Sequence, residues 1–372
     1  MSEPVLSTDP APRTLVRGDG VGRVTTRSAV VATPDDPLVL AGGGVLEHVE
    51  VAYETYGELS PARDNVVLVA HALTGDAHAA GHHGDPSRRG WWDDLIGPGR
   101  AVDTDRFFVV CPNLLGGCRG TTGPSSPDPA TGRPYGPDFP ELTVQDLVAV
   151  HRRLLDGLGI GTVHAGIGGS LGGMQVLQWL GDEPGRVRRA VLVAATARLT
   201  AENIGFSAVA REAITSDPDF HEGRYAEHGV VPARGLKVAR MMAHITYVSA
   251  QGLEEKYGRD GIEGYLQHQG ESFVRRFDAG SYLVLTRLLD RFDPFADPGF
   301  APAVASGDPD VLALSFDSDW RFGTAHSELI VEHLSAAGAR VRHVEIASPW
   351  GHDSFLLRPP GYHELVAEFL EA

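Results

Sequence analysis

Cysteine is scarce in this 372-residue chain: Cys111 and Cys118 are its only two. Two thiols cannot staple a chain of this size, and their spacing is not that of a metal-ligand pair, so we expect reduced, small core residues. Long apolar runs are also missing. No uninterrupted stretch approaches the roughly 20 residues of a membrane span, and the opening MSEPVLSTDPAPRTLVRGDGVG has no apolar core of a secretory signal. Positive charge is in deficit, with 32 Lys and Arg against 49 Asp and Glu and a net charge of -17. That balance argues against a general nucleic-acid or anionic-membrane surface, so an anionic substrate needs a local basic patch. A cytoplasmic location is expected.

Repeats and low-complexity tracts are absent too, so organisation must come from the order of segments. Short apolar runs closed by turn residues predict buried strands at 65–70, 107–111, 162–167, 190–195, 311–316 and 341–346. Helix-like stretches fall at 143–158, with Thr143 suited to cap the first turn, and at 171–180, 325–336 and 362–370. Strand and helix alternate, which implies an α/β class built on a mainly parallel sheet flanked by helices. The alternation stops at 198–301, where 208–214, 236–243, 253–257 and 282–289 read as helices with no strand between them. The resulting division is a loose arm at 1–22, a core domain at 23–197 and 302–372, and an inserted helical lid at 198–301.

Gly168-Gly169-Ser170-Leu171-Gly172 is a G-x-S-x-G motif between a predicted strand and a predicted helix. That context puts Ser170 on a tight turn as a nucleophile, with Gly168, Gly169, Gly172 and Gly173 making room around it. The Leu171 N–H, at the start of the next helix, faces a developing oxyanion. A second donor is expected from the loop after an earlier strand, and the Leu73 N–H in His71-Ala72-Leu73-Thr74-Gly75 is the candidate. In such sheets the acid and then the base follow the serine along the chain. The strand at 311–316 ends in Asp317-Ser318-Asp319, and Asp319, farther into the loop, is preferred to Asp317, which suits a turn. His352 lies in the loop after the last strand, where an imidazole can take and return a proton. His78, His82 and His83 with Asp76 and Asp85 sit in a Gly-rich loop without a helical face to fix ligands, so no metal is expected.

Beyond the first ~20 residues, longer motifs carry a resemblance. His71-Ala72-Leu73-Thr74-Gly75, Gly90-Trp91-Trp92-Asp93, the run from Asn113-Leu114-Leu115-Gly116-Gly117-Cys118 to Pro124, the Ser170 elbow and Gly351-His352-Asp353-Ser354-Phe355 resemble the homoserine O-acetyltransferases, enzymes of the α/β-hydrolase fold. The resemblance implies a homodimer formed through the lid helices. It also implies two-step acetyl transfer from acetyl-CoA, as co-substrate and with no bound cofactor, to L-homoserine in methionine biosynthesis. It favours Asp319 as the acid, and it places the substrate carboxylate at Arg240 with Tyr247 nearby and the amino group at Asp353. A zwitterion in a closed pocket needs such a cation and anion. Two positions depart from the pattern: Gly323 stands near an expected Pro, which predicts a less rigid acid loop, and Ser354 stands where Ala is common. Within the same family, succinyl-CoA as donor and serine as acceptor stay open. A hydrolase of similar fold and a catalytically silent binding protein are the readings outside it.

Overall fold

The computed structural model describes residues 20–372. Of the expected arm at 1–22, all but the last three residues lie outside the described residues. Eight strands form the main sheet: β1 (Arg27–Ala32), β2 (Val49–Tyr56), β3 (Val66–Ala70), β4 (Phe108–Pro112), β5 (Val163–Gly169), β6 (Val187–Val193), β7 (Asp310–Phe316) and β8 (Arg340–Ile346). Their spatial order is β1-β2-β4-β3-β5-β6-β7-β8. From β4 to β8 every neighbouring pair is parallel, while β1–β2 and β2–β4 are antiparallel. The sequence reading starts the sheet at 65 and misses β1 and β2. Exposed residues along β1, and Glu50 and Glu54 within β2, obscure the apolar pattern there.

The central strands are apolar on both faces because both are covered. Val66, Leu68 and Ala70 of β3 join one core cluster, while Val67 and Val69 join the other. On the first face pack α1 (Val144–Gly157), α2 (Leu171–Asp182) and the inner side of α8 (Thr324–Ala336); α9 (Tyr362–Glu371) covers the second. Thr143 does cap α1, in a reciprocal box with Asp146. Burying a Val or Leu on such a face contributes about 1.5–3 kcal/mol, so these strands tolerate few polar residues.

Between β6 and β7 the chain is helical: α3 (Ala201–Thr215), α4 (Ala233–Tyr247), α5 (Ala250–Val274), α6 (Ala279–Asp290) and α7 (Phe300–Ser306). The longest, α5, was legible only at 253–257. It buries just Gly252, Gly270 and Phe273, so it has almost no apolar stripe, and it kinks at Gly258 (φ 59°). Among the described residues no helix is long and apolar enough to cross a membrane.

Close approach of α2 to β3 sets the active end of the sheet. A Cβ on Gly172 would stand 2.0 Å from the Ala70 carbonyl oxygen, so only glycine lets the helix sit this near the strand. Gly172→Ala is expected to push α2 outward and cost about 1–3 kcal/mol, read as a lower urea midpoint with an unchanged slope.

Candidate active site

Ser170 occupies the turn between β5 and α2 with φ 57° and ψ -123°, a conformation costly for a residue with a Cβ. The turn is held from below by the Ser170 N–H, which donates to the Val193 carbonyl at 2.9 Å. Its crowding is severe on the strand side as well, since a Cβ on Gly168 would lie 2.3 Å from the Gly172 backbone. Leu171 begins α2, so its N–H is among the four without an acceptor inside the helix.

The structure brings Ser170, His352 and Asp319 together. His352 Nε2 lies 2.9 Å from Ser170 Oγ, and His352 Nδ1 lies 2.7 Å from Asp319 Oδ2. All three are buried. Burial pushes the Asp319 carboxyl up, but the His352 ring and the Phe322 and Arg321 N–H groups outweigh it, and the carboxyl titrates below its ordinary value. Those two N–H groups each donate to Asp319 Oδ1 at 2.9 Å. They fix the acid loop although no Pro stands near 323. Asp317 has a different place: it accepts the Ser348 N–H at 2.9 Å and closes a turn between the two loops. Ser354 is fully buried, with its Oγ 2.7 Å from Ser348 Oγ inside the histidine loop.

With this orientation, Asp319 can stabilise a cation on His352, and His352 can draw the proton from Ser170 Oγ onto Nε2. Above the serine opens a cavity of about 180 Å³, lined among others by Leu73, Arg240, Tyr247 and Asp353. Arg240 is buried and donates to Thr74 Oγ1 at 3.1 Å; its guanidinium lies 5.8 Å from the Tyr247 ring centre. Tyr247 in turn sits 6.0 Å, ring to ring, from His352. Burial raises the Asp353 carboxyl to about 6, with His352 and Arg240 acting the other way. The loop carrying Leu73 is anchored at His71, whose Nε2 lies 2.9 Å from Asn113 Oδ1 and whose carbonyl accepts from Gln175 Nε2 at 3.1 Å. The GWWD motif acts from behind, as Trp92 Nε1 donates to the Phe355 carbonyl of the histidine loop at 2.8 Å.

Two features escaped the sequence reading. Arg321, buried on the acid loop, also lines the cavity; its neighbourhood to Asp319 in sequence was the available signal. The other is Glu54, fully buried on β2. His78 Nδ1 and His83 Nε2 approach its carboxylate at 3.0 and 2.7 Å, and Thr26 and Tyr56 hydroxyls donate to it at 2.7 and 2.9 Å. Among the described residues Glu54, His78 and His83 form the set whose atoms are close enough to hold a cation. The pairing runs through a strand carboxylate, which no spacing within the loop reveals. His82 stays outside it, Asp76 pairs with Arg119, and Asp85 accepts from Ser87. Cys111 is buried and Cys118 half-buried, both free thiols.

Residues 65–359 match the family model described as the alpha/beta hydrolase fold, the class that this sheet and serine elbow define. A homoserine O-succinyltransferase from Nocardioides sp. is 64% identical over 94% of this chain and 99% of its own length. Among solved structures, the homoserine O-acetyltransferase from Bacillus anthracis is 28% identical with a TM-score of 0.87, covering 94% of this chain and 98% of that one. Esterase E22, also 28% identical, superposes with a TM-score of 0.85 over 93% of this chain and 100% of its own. The chain belongs to the α/β-hydrolase fold family and, within it, to the homoserine O-acyltransferases.

Asp353 carries a consequence for stability. Its carboxyl titrates higher in the folded chain than the ordinary 3.8, so the native state holds the proton more tightly than the unfolded one. Stability is therefore lost as pH rises from about 4 through about 6. Asp353→Asn is expected to raise the thermal midpoint at pH 7, by an amount equivalent to about 3 kcal/mol, and to leave it nearly unchanged near pH 3.5. Thermal scans at the two pH values check this.

Proposed function

We propose that this chain is a homoserine O-succinyltransferase, which moves a succinyl group from succinyl-CoA to the hydroxyl of L-homoserine. The observation that carries the donor is the 64% identity, over nearly the whole of both chains, to the Nocardioides protein of that name. The structure named for acetyl transfer stands at 28%. Succinyl-CoA therefore takes the place of the acetyl-CoA expected from the motifs.

In the first step Ser170 Oγ attacks the thioester carbonyl while His352 takes its proton. The Leu73 and Leu171 N–H groups receive the oxyanion, and as it collapses the C–S bond breaks and His352 protonates the departing CoA sulfur. Succinyl-Ser170 remains. Homoserine then enters, with its carboxylate at Arg240 and its ammonium at Asp353. His352 removes its hydroxyl proton, the alkoxide attacks the ester carbonyl, and the bond to Ser170 Oγ breaks as His352 returns the proton. Asp319 holds the His352 tautomer throughout. The reading includes a homodimer through the lid, whose α3 and α4 expose Val209, Val238 and Ile245.

Pure protein with succinyl-CoA or acetyl-CoA, each with and without L-homoserine or L-serine, tests the reading. CoA release is expected to require succinyl-CoA and homoserine and to yield O-succinylhomoserine, with succinyl-Ser170 visible by intact mass when no acceptor is present. Ser170→Ala is expected to reduce turnover by at least ~10⁴-fold. Steady free succinate without an amino acid would instead assign a hydrolase, as the likeness to esterase E22 allows.

A further inference from the structure

Glu54, His78 and His83 do not line the cavity above Ser170, and acyl transfer gives them no part. Their arrangement is nevertheless specific. A carboxylate with no exposed surface needs compensating positive charge. The ion-pair partners of Glu54 among the described residues are these two imidazoles, one at each oxygen: His78 Nδ1 at Oε2 and His83 Nε2 at Oε1. The Thr26 and Tyr56 hydroxyls donate to the same two oxygens and orient the carboxylate. A metal-bound carboxylate needs supporting hydrogen bonds of this kind.

The loop carrying the histidines was expected to hold no metal because it offers no helical face. The structure supplies the rigidity in another way. The Ala79 and Ala80 N–H groups donate to Tyr56 Oη at 2.8 and 3.1 Å, which ties the loop to β2 beside Glu54. Gly81 turns the chain at φ 74°, where a Cβ would stand 2.5 Å from the Gly22 carbonyl oxygen, and its N–H donates to Asp93 Oδ1 at 2.8 Å. His78 and His83, on either side of this turn, therefore meet with ring centres 3.9 Å apart. The three candidate ligand atoms all lie within 4.8 Å of one another.

We propose that Glu54, His78 and His83 form a binding site for a divalent transition metal of the zinc class. Two imidazoles and a carboxylate suit zinc better than magnesium or calcium, which prefer oxygen ligands alone. Metal bonds of about 2.0–2.1 Å place tetrahedral ligand atoms roughly 3.3 Å apart. The present contacts of 3.0 and 2.7 Å need to open only slightly to reach that spacing. His83 supplies both the movement and the entry path, because its side chain is 49% exposed while Glu54 has no exposure. On binding, each imidazole nitrogen that now meets the carboxylate releases any hydrogen it carries to solvent and takes the metal instead, and water completes the shell. The ion braces the stretch between the Leu73 loop and Trp92, whose indole holds the histidine loop.

Untagged protein, stripped with a chelator and titrated with zinc by calorimetry, tests the site, with cobalt as a spectroscopic stand-in. A single equivalent is expected to bind, to show the intense visible bands of tetrahedral cobalt, and to raise the thermal midpoint; magnesium is expected to do none of these. His83→Ala is expected to weaken zinc binding at least ~100-fold and to abolish the thermal rise, with its far-UV circular dichroism unchanged. Glu54→Gln carries the same expectation, and where it fails to fold His83→Ala decides. A wild type that binds no stoichiometric zinc, or zinc binding undiminished in folded His83→Ala, overturns the proposal. So does binding that survives in His83→Ala and disappears in His221→Ala, because exposed His221 stacks on His228 at 4.0 Å and is the competing imidazole pair. None of these readouts uses acyl-CoA turnover, so their outcome is separate from that of the succinyl reading.

Discussion

Everything at the active end of this molecule depends on seating one non-glycine residue, Ser170, at φ 57° between a strand and a helix. Such a backbone is not stable by itself. It persists because β5 enters and α2 leaves through contacts that permit no larger residue: Gly168 against the Gly172 backbone, Gly172 against the Ala70 carbonyl, Gly173 against Ala195. These contacts also press α2 onto the end of β3, from which the His71–Gly75 loop departs. Gln175, one turn into the same helix, then holds the His71 carbonyl. The packing that strains the serine therefore also positions Leu73, which lines the same cavity.

The second constraint is electrostatic. Four charged or ionisable side chains, Asp319, Asp353, Arg240 and Arg321, crowd around His352 and the cavity, and three of them are buried. They are compensated unequally. Asp319 has the imidazole and two backbone N–H groups and remains an anion. Asp353 lacks a comparable set, and its carboxyl is raised; Arg240 even leaves its Nε buried without an acceptor. A core built for stability alone would pair these groups or replace them. Leaving them open stores binding capacity for a ligand that carries the missing charges, which is the usual conflict between stability and function.

The sequence conveyed the central sheet and the reacting groups more completely than it conveyed their surroundings. Strands buried on both faces announce themselves as apolar runs, and Ser170 and Asp319 each follow such a run, while His352 follows β8, the mostly exposed strand at the sheet edge. Position in the chain alone could therefore rank Asp319 over Asp317 and select one histidine from 16. Elements with mixed exposure were less visible: β1 at the sheet edge, β2 with its buried Glu54, and the polar helix α5. Charges that meet only in three dimensions were not visible at all. Nothing in the spacing of His78 and His83 points to Glu54, and nothing in the acid loop says that the Arg321 side chain turns into the cavity.

The helices between β6 and β7 couple the cavity to the reacting groups. Their α4–α5 junction docks on both catalytic loops at once: Thr246 accepts from Arg321, the Val248 carbonyl accepts from Trp320 Nε1 at 3.2 Å, and the Ser249 hydroxyl donates to the Pro349 carbonyl. Gly351, beside His352, has φ 68°, and a Cβ there would stand 2.5 Å from the Ser249 nitrogen, so the junction sits directly on the histidine loop. Residues that shape the substrate cavity and residues that orient the base thus belong to one contiguous contact. A change in these helices can then reshape the cavity harmlessly only if it leaves the His352 geometry intact. A shared backbone scaffold, as seen in the likeness to both an acetyltransferase and an esterase, leaves few positions free for that purpose. Arg321, held by its backbone N–H to Asp319 and by its guanidinium to Thr246, ties the cavity wall to the acid loop, so a change at that contact reaches the base as well.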